Sequence, residues 1–222
     1  METYNQKKKF LNIGCGSNPI DGFVNYDYNI FIFLAKIPFL NILLSKIQII
    51  PKPFIQFMEI VKKDNIQYCN AYRKIPESEN SVDLIYTCHM LEHLDPKESE
   101  KFLKECKRVL KKDGILRIVV PSFEILIKNY QQNKNVDIFI EESCLVGEKP
   151  KTFIKKLQYL IQGHGWHHQM FTENSLKKKL EIAGFRNITN FTEGNSNIPY
   201  KNNINYADFA SKSICCECTN DS

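Results

Sequence analysis

Apolar residues along the chain fall into short runs bounded by glycine, proline or charged residues. Such runs predict strands at about 9–13, 23–28, 66–69, 81–87, 115–120, 185–191 and 207–217. Between the runs, 96–111 and 173–183 carry apolar residues at helical spacing. Asp95 and Thr172 precede these two segments as N-capping residues, and Gly184 ends the second. Because strands and helices alternate, the pattern predicts an α/β fold with a largely parallel sheet covered on both faces.

Two segments depart from this alternation. The segment at about 30–61 is strongly apolar, and 123–165 is mostly helical and polar, so both are predicted to be helical insertions. The first is long enough to suggest a membrane span, but Lys36 and Lys46 interrupt it. Each charge at mid-span costs about 2.5–3.5 kcal/mol. We therefore favour packing over the sheet or the cofactor, with peripheral membrane contact through 30–50 as the alternative, and expect 123–165 to act as a lid.

The composition describes an ordinary globular protein. The chain has 222 residues, 43% of them hydrophobic, which suits one domain over 1–222. The net charge of +5 comes largely from short lysine runs. This charge is too small to indicate a nucleic-acid-binding protein by itself. Eight scattered cysteines and a start that is unlike a secretory signal predict a reduced, cytoplasmic protein. The spacing of Cys215 and Cys218 lacks a second cysteine pair, so we expect no metal there.

Candidate ligand-binding residues follow the predicted strands, where a doubly wound sheet binds its ligands. The first strand ends at Gly14-Cys15-Gly16, a turn that lets a ligand approach the backbone. Pro19 takes the place of a third glycine and disfavours a dinucleotide site. Asp27 ends the second strand, where a carboxylate can accept both hydrogens of a ribose diol. Asn70, after the third strand, offers an amide oxygen to an adenine amino group.

Taken together, the motifs resemble those of a known family. They are Leu11 to Pro19 with Gly22 to Asp27, Asn80 to Tyr86 with His89 to Leu94, Val109 to Pro121, and His167 to Phe185. In this order they are similar to class I S-adenosylmethionine-dependent methyltransferases of the type 11-like group. The closest likeness is to "predicted methyltransferases" often associated with polysaccharide biosynthesis. The resemblance implies a Rossmann-like, doubly wound, mostly parallel sheet of about seven strands with an antiparallel last strand.

The resemblance also implies S-adenosylmethionine as the cofactor and a role for each matching residue. Backbone at Gly14, Cys15 and Gly16 would hold the methionine portion, and Asp27 the ribose. Asn70 and Ala71 would border the adenine, and Cys88 with His89 the sulfonium end. The chain departs from the family at Asn70, where relatives have a carboxylate, and at Ser122, where they often have aspartate. Only ten residues separate Gly16 from Asp27, as in the same group of relatives.

Direct in-line displacement from a sulfonium requires an aligned nucleophile, because the departing thioether is neutral. A base is needed only if the acceptor keeps its proton. The candidates are His89, His167 and His168, of which we favour His167, whereas His93 is expected to pack beside the helix after it. His164 with His167 and His168 has irregular spacing for a metal, so no metal site is predicted.

The methyl acceptor is the least determined part. The resemblance favours a hydroxyl or amine of a small molecule or a sugar. Asn70 in place of the family's acid, together with the apolar segment, leaves open a non-catalytic module that binds the cofactor. A nucleic-acid methyltransferase is a further alternative, although the lysines form no aromatic-basic stripe. The sequence does not indicate an oligomeric state.

Overall fold

A seven-stranded sheet organises the described part of the computed structural model, which covers residues 8–38, 52–146, 151, 166–192, 194–206 and 210–221. The strands are β1 Phe10–Ile13, β2 Val24–Asp27, β3 Gln67–Tyr68, β4 Val82–Cys88, β5 Leu110–Pro121, β6 Phe185–Phe191 and β7 Ser213–Asn220. Their order is β3-β2-β1-β4-β5-β7-β6, and β7 is antiparallel to both of its neighbours. The predicted fold, mostly parallel with an antiparallel last strand, is confirmed.

Six helices accompany the strands within these residues. They are α1 Phe31–Ala35, α2 Lys52–Lys63, α3 Pro96–Val109, α4 Phe123–Asn133, α5 Val136–Ser143 and α6 Glu173–Ile182, with 3-10 turns at Leu91–His93 and Ala210–Lys212. The Asp95 carboxylate accepts from the backbone N–H groups of Lys97 and Glu98 at 2.7 and 2.8 Å. The Thr172 hydroxyl accepts from Ser175 at 3.1 Å. Both predicted N-caps are therefore confirmed.

Two element boundaries differ from the predicted ones because pairing between strands sets them. The helix predicted to reach 111 ends at Val109, and β5 begins at once, because Leu110 already pairs with Val82. The predicted turn persists inside β5 as an irregularity, with Asp113 at a φ of 60°. The last strand, predicted at 207–217, lies at Ser213–Asn220 because its ladder with β5 sets its ends. A partner strand distant in sequence fixed both boundaries.

Apolar side chains pack on both faces of the sheet, as expected for crossover connections. Leu11, Ile85 and Ile118 belong to the core that includes α3 and α6, whereas Leu84 and Val119 face the opposite core. The ends of the predicted 30–61 insertion form α1 and α2, which pack together around Met58. Residues 39–51 and most of 147–165 lie outside the described part. None of the described helices is long and apolar enough to cross a membrane.

One charged pair is buried within the sheet. Arg117 on β5 lies opposite Glu217 on β7, and its guanidinium donates to the Glu217 carboxylate. Both residues are at most 5% exposed. Ser196 Oγ and Asn197 N also donate to this carboxylate, at 2.6 and 3.0 Å. The guanidinium further stacks over the Tyr206 ring at 4.6 Å. The pair therefore joins two strands to the loop that precedes β7.

Arg117→Met should lower the free energy of unfolding by about 3–5 kcal/mol, because it leaves the Glu217 charge buried without its partner. The double variant Arg117→Met/Glu217→Leu should recover part of this loss. Lys212→Met removes an exposed partner of Glu142 and should cost about 1 kcal/mol or less. Urea unfolding measures all three variants, and equal losses for Arg117→Met and Lys212→Met would contradict the expectation.

Candidate functional site

The ends of the parallel strands converge at one edge of the sheet and carry most of the predicted residues. Gly14 and Gly16 follow β1, Asp27 ends β2, Asn70 follows β3 and His89 follows β4. Gly14, Gly16 and His89 have φ values of 73°, 51° and 52°. Left-handed backbone is uncommon for histidine and often marks a functional position. The chain therefore turns sharply after β1 and after β4, and the two turns lie side by side.

Hydrogen bonds from β2 hold the glycine loop. The Asp27 carboxylate accepts from the backbone of Gly16 at 2.8 Å and of Asn29 at 2.9 Å. Burial raises the pKa of the Asp27 carboxyl, and these N–H donors oppose the rise. Behind the loop, the buried Asn25 side chain accepts from Ile20 N at 2.8 Å and from Asn12 at 3.0 Å. The carboxylate is thus fixed in orientation beside the glycine turn.

A cavity of about 500 Å³, named here the β1–β2 cavity, opens over these strand ends. Its lining includes six of the residues predicted to bind the cofactor: Gly14, Gly16, Asp27, Asn70, Ala71 and His89. The Asn70 Oδ1 atom is buried and has no hydrogen-bond partner among the described residues. Tyr28, Tyr72 and Trp166 complete the wall. None of the three was singled out from sequence, and in the structure all three lie outside the helices and strands.

The two predicted cysteines do not line the β1–β2 cavity. Cys15 is buried in the cluster beneath α1, and burial raises the pKa of its thiol far above its usual range. Cys88 is half-buried and packs against the core on the other face of the sheet. Both residues border a neighbouring hollow instead. Any contact of Cys15 with a ligand in the β1–β2 cavity therefore involves its backbone.

A second cavity of about 280 Å³ lies beyond β4 and β5, and we name it the β4–β5 cavity. Phe123, Leu126 and Met170 give it apolar walls, and His89 and His167 stand at its polar end. His89 borders both cavities, so the two adjoin at this side chain. His168 is exposed and borders the β1–β2 cavity. Of the three predicted base candidates, only His89 and His167 therefore reach the second cavity.

Glu92 connects these histidines, although the sequence analysis did not single it out. Its side chain is 1% exposed, and neither carboxylate oxygen has a hydrogen-bond partner among the described residues. His89 Nδ1 and His167 Nε2 lie 3.2 and 3.9 Å from Glu92 Oε1. The signal available in the sequence was a carboxylate three residues after His89 and directly before His93.

Backbone contacts bring His167 to this place. The N–H groups of His168 and Gln169 donate to the Glu92 carbonyl at 2.8 and 3.2 Å. His167 N donates to the Cys144 carbonyl at 3.0 Å. Burial lowers the pKa of His167, and the Glu92 charge opposes that shift. The segment after 165 is thus fixed against both the 3-10 turn after β4 and the end of α5.

The other metal ligand sets considered from sequence are not assembled within the described residues. His164 lies outside the described part, and His168 is not grouped with His167 as a ligand. Cys215 belongs to one core of the sheet and Cys218 to the other. Residues three apart on a strand point to opposite faces, so β7 separates the two thiols.

Comparison with known families finds one match, over about a third of the chain. The family described as "Methyltransferase domain" matches residues 50–118, which reach from α2 through β4 into β5. This match covers the strand ends that carry Asn70 and His89. The matched residues support an S-adenosylmethionine-dependent methyltransferase with S-adenosylmethionine as its cofactor. No curated protein sequence matches the chain.

Several solved methyltransferase structures are similar to the chain in fold. One from Thermotoga maritima, described as a possible histamine N-methyltransferase, has 16% identity and a TM-score of 0.48, covering 96% of this chain and 82% of that one. One from Methanosarcina mazei has 18% identity and a TM-score of 0.49, covering 97% and 94%. The DszA carbon methyltransferase has 10% identity and a TM-score of 0.50, covering 100% and 49%. At 10% identity, the likeness to the DszA structure shows the fold alone.

The β1–β2 cavity fits the cofactor chemically. S-adenosylmethionine carries hydrogen-bond donors at its adenine amino group and its ribose hydroxyls. The cavity presents an unpartnered acceptor at Asn70 and a carboxylate at Asp27. Its volume of about 500 Å³ lies within the usual range of about 300–1,000 Å³ for small-molecule sites. The cavity therefore offers acceptors of the kind that the donors of this cofactor require.

Gly14→Ala should destabilise the methyltransferase more than Gly16→Ala. A Cβ atom at Gly14 would lie 2.5 Å from Met90 Cγ, whereas one at Gly16 meets nothing within 4 Å. Both glycines have positive φ, so Gly16→Ala isolates the cost of backbone strain, on the order of 1 kcal/mol. Thermal unfolding compares the two variants. Equal losses would show that Met90 moves aside without cost.

Proposed function

We propose that the methyltransferase transfers the methyl group to a hydroxyl or amine of a small molecule or a sugar by direct in-line displacement. The observation that carries the proposal is the β4–β5 cavity, which adjoins the cofactor-sized cavity at His89. Its volume of about 280 Å³ suits a small acceptor. The group resemblance favours a sugar or small metabolite over a macromolecule.

At the cofactor end we propose the roles implied by the family motifs. Asp27 accepts from the ribose hydroxyls, and Asn70 with Ala71 borders the adenine. Backbone at Gly14, Cys15 and Gly16 faces the methionine portion, and Cys88 with His89 stands near the sulfonium. The orientation of the Asp27 carboxylate by Gly16 and the unpartnered Asn70 oxygen support these assignments. The cysteines take part through their backbone or through packing.

At the acceptor end we propose His89 and His167 as the catalytic residues. Bound S-adenosylmethionine supplies an electrophilic methyl group, and the sulfur keeps the electron pair of the broken bond. The protein must hold the acceptor in line with that bond and exclude water, which contributes up to about 7–11 kcal/mol. His89 Nε2 lies 3.0 Å from Ser213 Oγ, so the ring is fixed at the junction of the two cavities. A fixed ring there can orient the acceptor atom. The proton that a hydroxyl or amine acceptor loses on methylation passes to a base, for which we propose the neutral imidazole of His167 or, where a metal-bound acceptor is already deprotonated, solvent.

Asp27→Asn should weaken binding of S-adenosylhomocysteine by roughly 10–100-fold, because a hydrogen bond to a charged group contributes about 1.5–3 kcal/mol. Isothermal titration calorimetry measures the affinity. Asp113→Asn makes the same chemical change at an exposed position and should leave the affinity unchanged. Unaltered binding by Asp27→Asn, with unchanged thermal stability, would remove the ribose assignment.

The acceptor class is tested with S-adenosylmethionine labelled in its methyl group. Nucleotide-activated sugars, monosaccharides and small amines are offered in one set, and transfer RNA and duplex DNA in another. Label should appear in the small-molecule set. Label confined to nucleic acid would overturn the proposed acceptor class, and so would the absence of transfer to every small molecule while S-adenosylhomocysteine still binds.

With the acceptor found in this way, His89→Asn should lower kcat on the order of 100-fold and leave affinity for S-adenosylhomocysteine within a few-fold, because misplacing the acceptor costs about this much. Asparagine tolerates the left-handed backbone at this position, so the change affects the ring and not the turn. His168→Asn, at an exposed neighbour of His167, is the matched control. An unchanged kcat in His89→Asn would exclude its catalytic role.

A further inference from the structure

Three potential metal ligands meet where the two cavities adjoin. One ligand atom each from Glu92, His93 and His167 lies within 4.8 Å of the other two, the one such group found among the described residues. His93 borders the β1–β2 cavity, and His167 borders the β4–β5 cavity. We propose that this cluster binds a divalent transition-metal ion, with Zn²⁺ as the favoured occupant. Neither the family match nor the fold assigns such a site.

The burial of Glu92 and the lack of hydrogen bonds to its carboxylate favour a bound cation. The carboxylate is 1% exposed, and its two oxygens lack hydrogen-bond partners among the described residues. Buried polar atoms are nearly always paired, and a buried carboxylate without compensation is costly. A cation held between Glu92 and the two imidazoles supplies that compensation. The arrangement thus has the charge and the vacant lone pairs of a metal ligand.

The outer contact of His93 matches that of a metal ligand. His93 Nδ1 lies 3.1 Å from the Trp166 carbonyl. A carbonyl can only accept, so Nδ1 carries the proton and Nε2 keeps the lone pair that a metal needs. Metal-binding histidines characteristically direct their other ring nitrogen to such a group.

The donor set selects the kind of ion. Two imidazoles and one carboxylate suit Zn²⁺ and other first-row transition metals, whereas Mg²⁺ and Ca²⁺ prefer sites made of oxygen ligands. Ligand atoms around tetrahedral Zn²⁺ are roughly 3.3–3.4 Å apart, so small side-chain rotations complete the site. His89, at 3.2 Å from the carboxylate, serves as an outer partner that orients Glu92.

Three protein ligands leave a coordination position free, as in catalytic zinc sites. An oxygen or nitrogen of the acceptor could take that position, because His93 borders the β1–β2 cavity and His167 borders the β4–β5 cavity. In this arrangement His167 acts on the acceptor through the ion. That chemical role rests on the proposed function, whereas metal binding itself does not, and it can be measured without cofactor or acceptor.

The test uses the full chain, without a histidine tag, after treatment with a chelator. Zn²⁺ affinity is measured by competition with a chromophoric chelator, and Co²⁺ is titrated separately because its visible spectrum reports the coordination geometry. We expect one Zn²⁺ per chain and a tetrahedral Co²⁺ spectrum. Zn²⁺ should also raise the unfolding temperature, since it binds only the folded state.

Glu92→Gln and His167→Asn should each weaken Zn²⁺ binding by more than the roughly 10–100-fold that loss of an outer partner costs. His168→Asn and Cys144→Ser remove an exposed neighbouring histidine and the exposed thiol, and each should keep the wild-type affinity. If Glu92→Gln does not fold, His93→Asn takes its place. Zn²⁺ affinity retained in the ligand variants, or lost equally in the controls, would overturn the proposal.

The metal result and the proposed function can fail separately. Methyl transfer to a small molecule by protein that binds no Zn²⁺ would leave the function standing and reject the metal site. Zn²⁺ binding that depends on Glu92 and His167, without transfer to any small acceptor, would establish the site and reject the proposed acceptor class.

Discussion

The parallel pairing of β1 with both β2 and β4 is the constraint on which the site depends. Parallel strands end at the same edge of a sheet, so the residues that follow them are neighbours in space. The chain must turn sharply there, and it does so with left-handed backbone at Gly14, Gly16 and His89. One edge therefore gathers the glycine loop, the Asp27 carboxylate and the histidine that borders both cavities.

Two carboxylates at this edge, the half-buried Asp27 and the buried Glu92, differ in their surroundings. Asp27 accepts backbone hydrogen bonds that orient it toward a small-molecule cavity, and it requires only a ligand with hydroxyl donors. Glu92, almost fully buried, has the imidazoles of His89 and His167 within 4 Å of its Oε1 atom. The first environment suits recognition of a neutral diol, and the second suits a cation. Under the proposed roles, the residues for cofactor recognition and for acceptor chemistry therefore lie at the ends of different strands, β2 and β4.

Much of the fold could be predicted because its signals are local. Apolar runs marked the strands within a few residues, and Asp95 and Thr172 marked helix starts because capping is a contact between near neighbours. The end of α3 and the bounds of β7 could not be predicted, because both depend on pairing with strands far away in sequence. The buried Arg117–Glu217 pair was invisible for the same reason, since the two residues are a hundred positions apart.

The sequence by itself placed the candidate residues at the strand ends, because the order of strands and turns converts chain position directly into place on the sheet edge. Its motifs indicated the cofactor through their resemblance to a known family. It also indicated His89 and His167 by residue type. Only the tertiary structure decided that His168 faces away from the second cavity and that Glu92 joins His93 and His167. Those positions depend on a segment beyond residue 165 binding to the turn after β4, a contact between backbone groups that no side-chain pattern encodes.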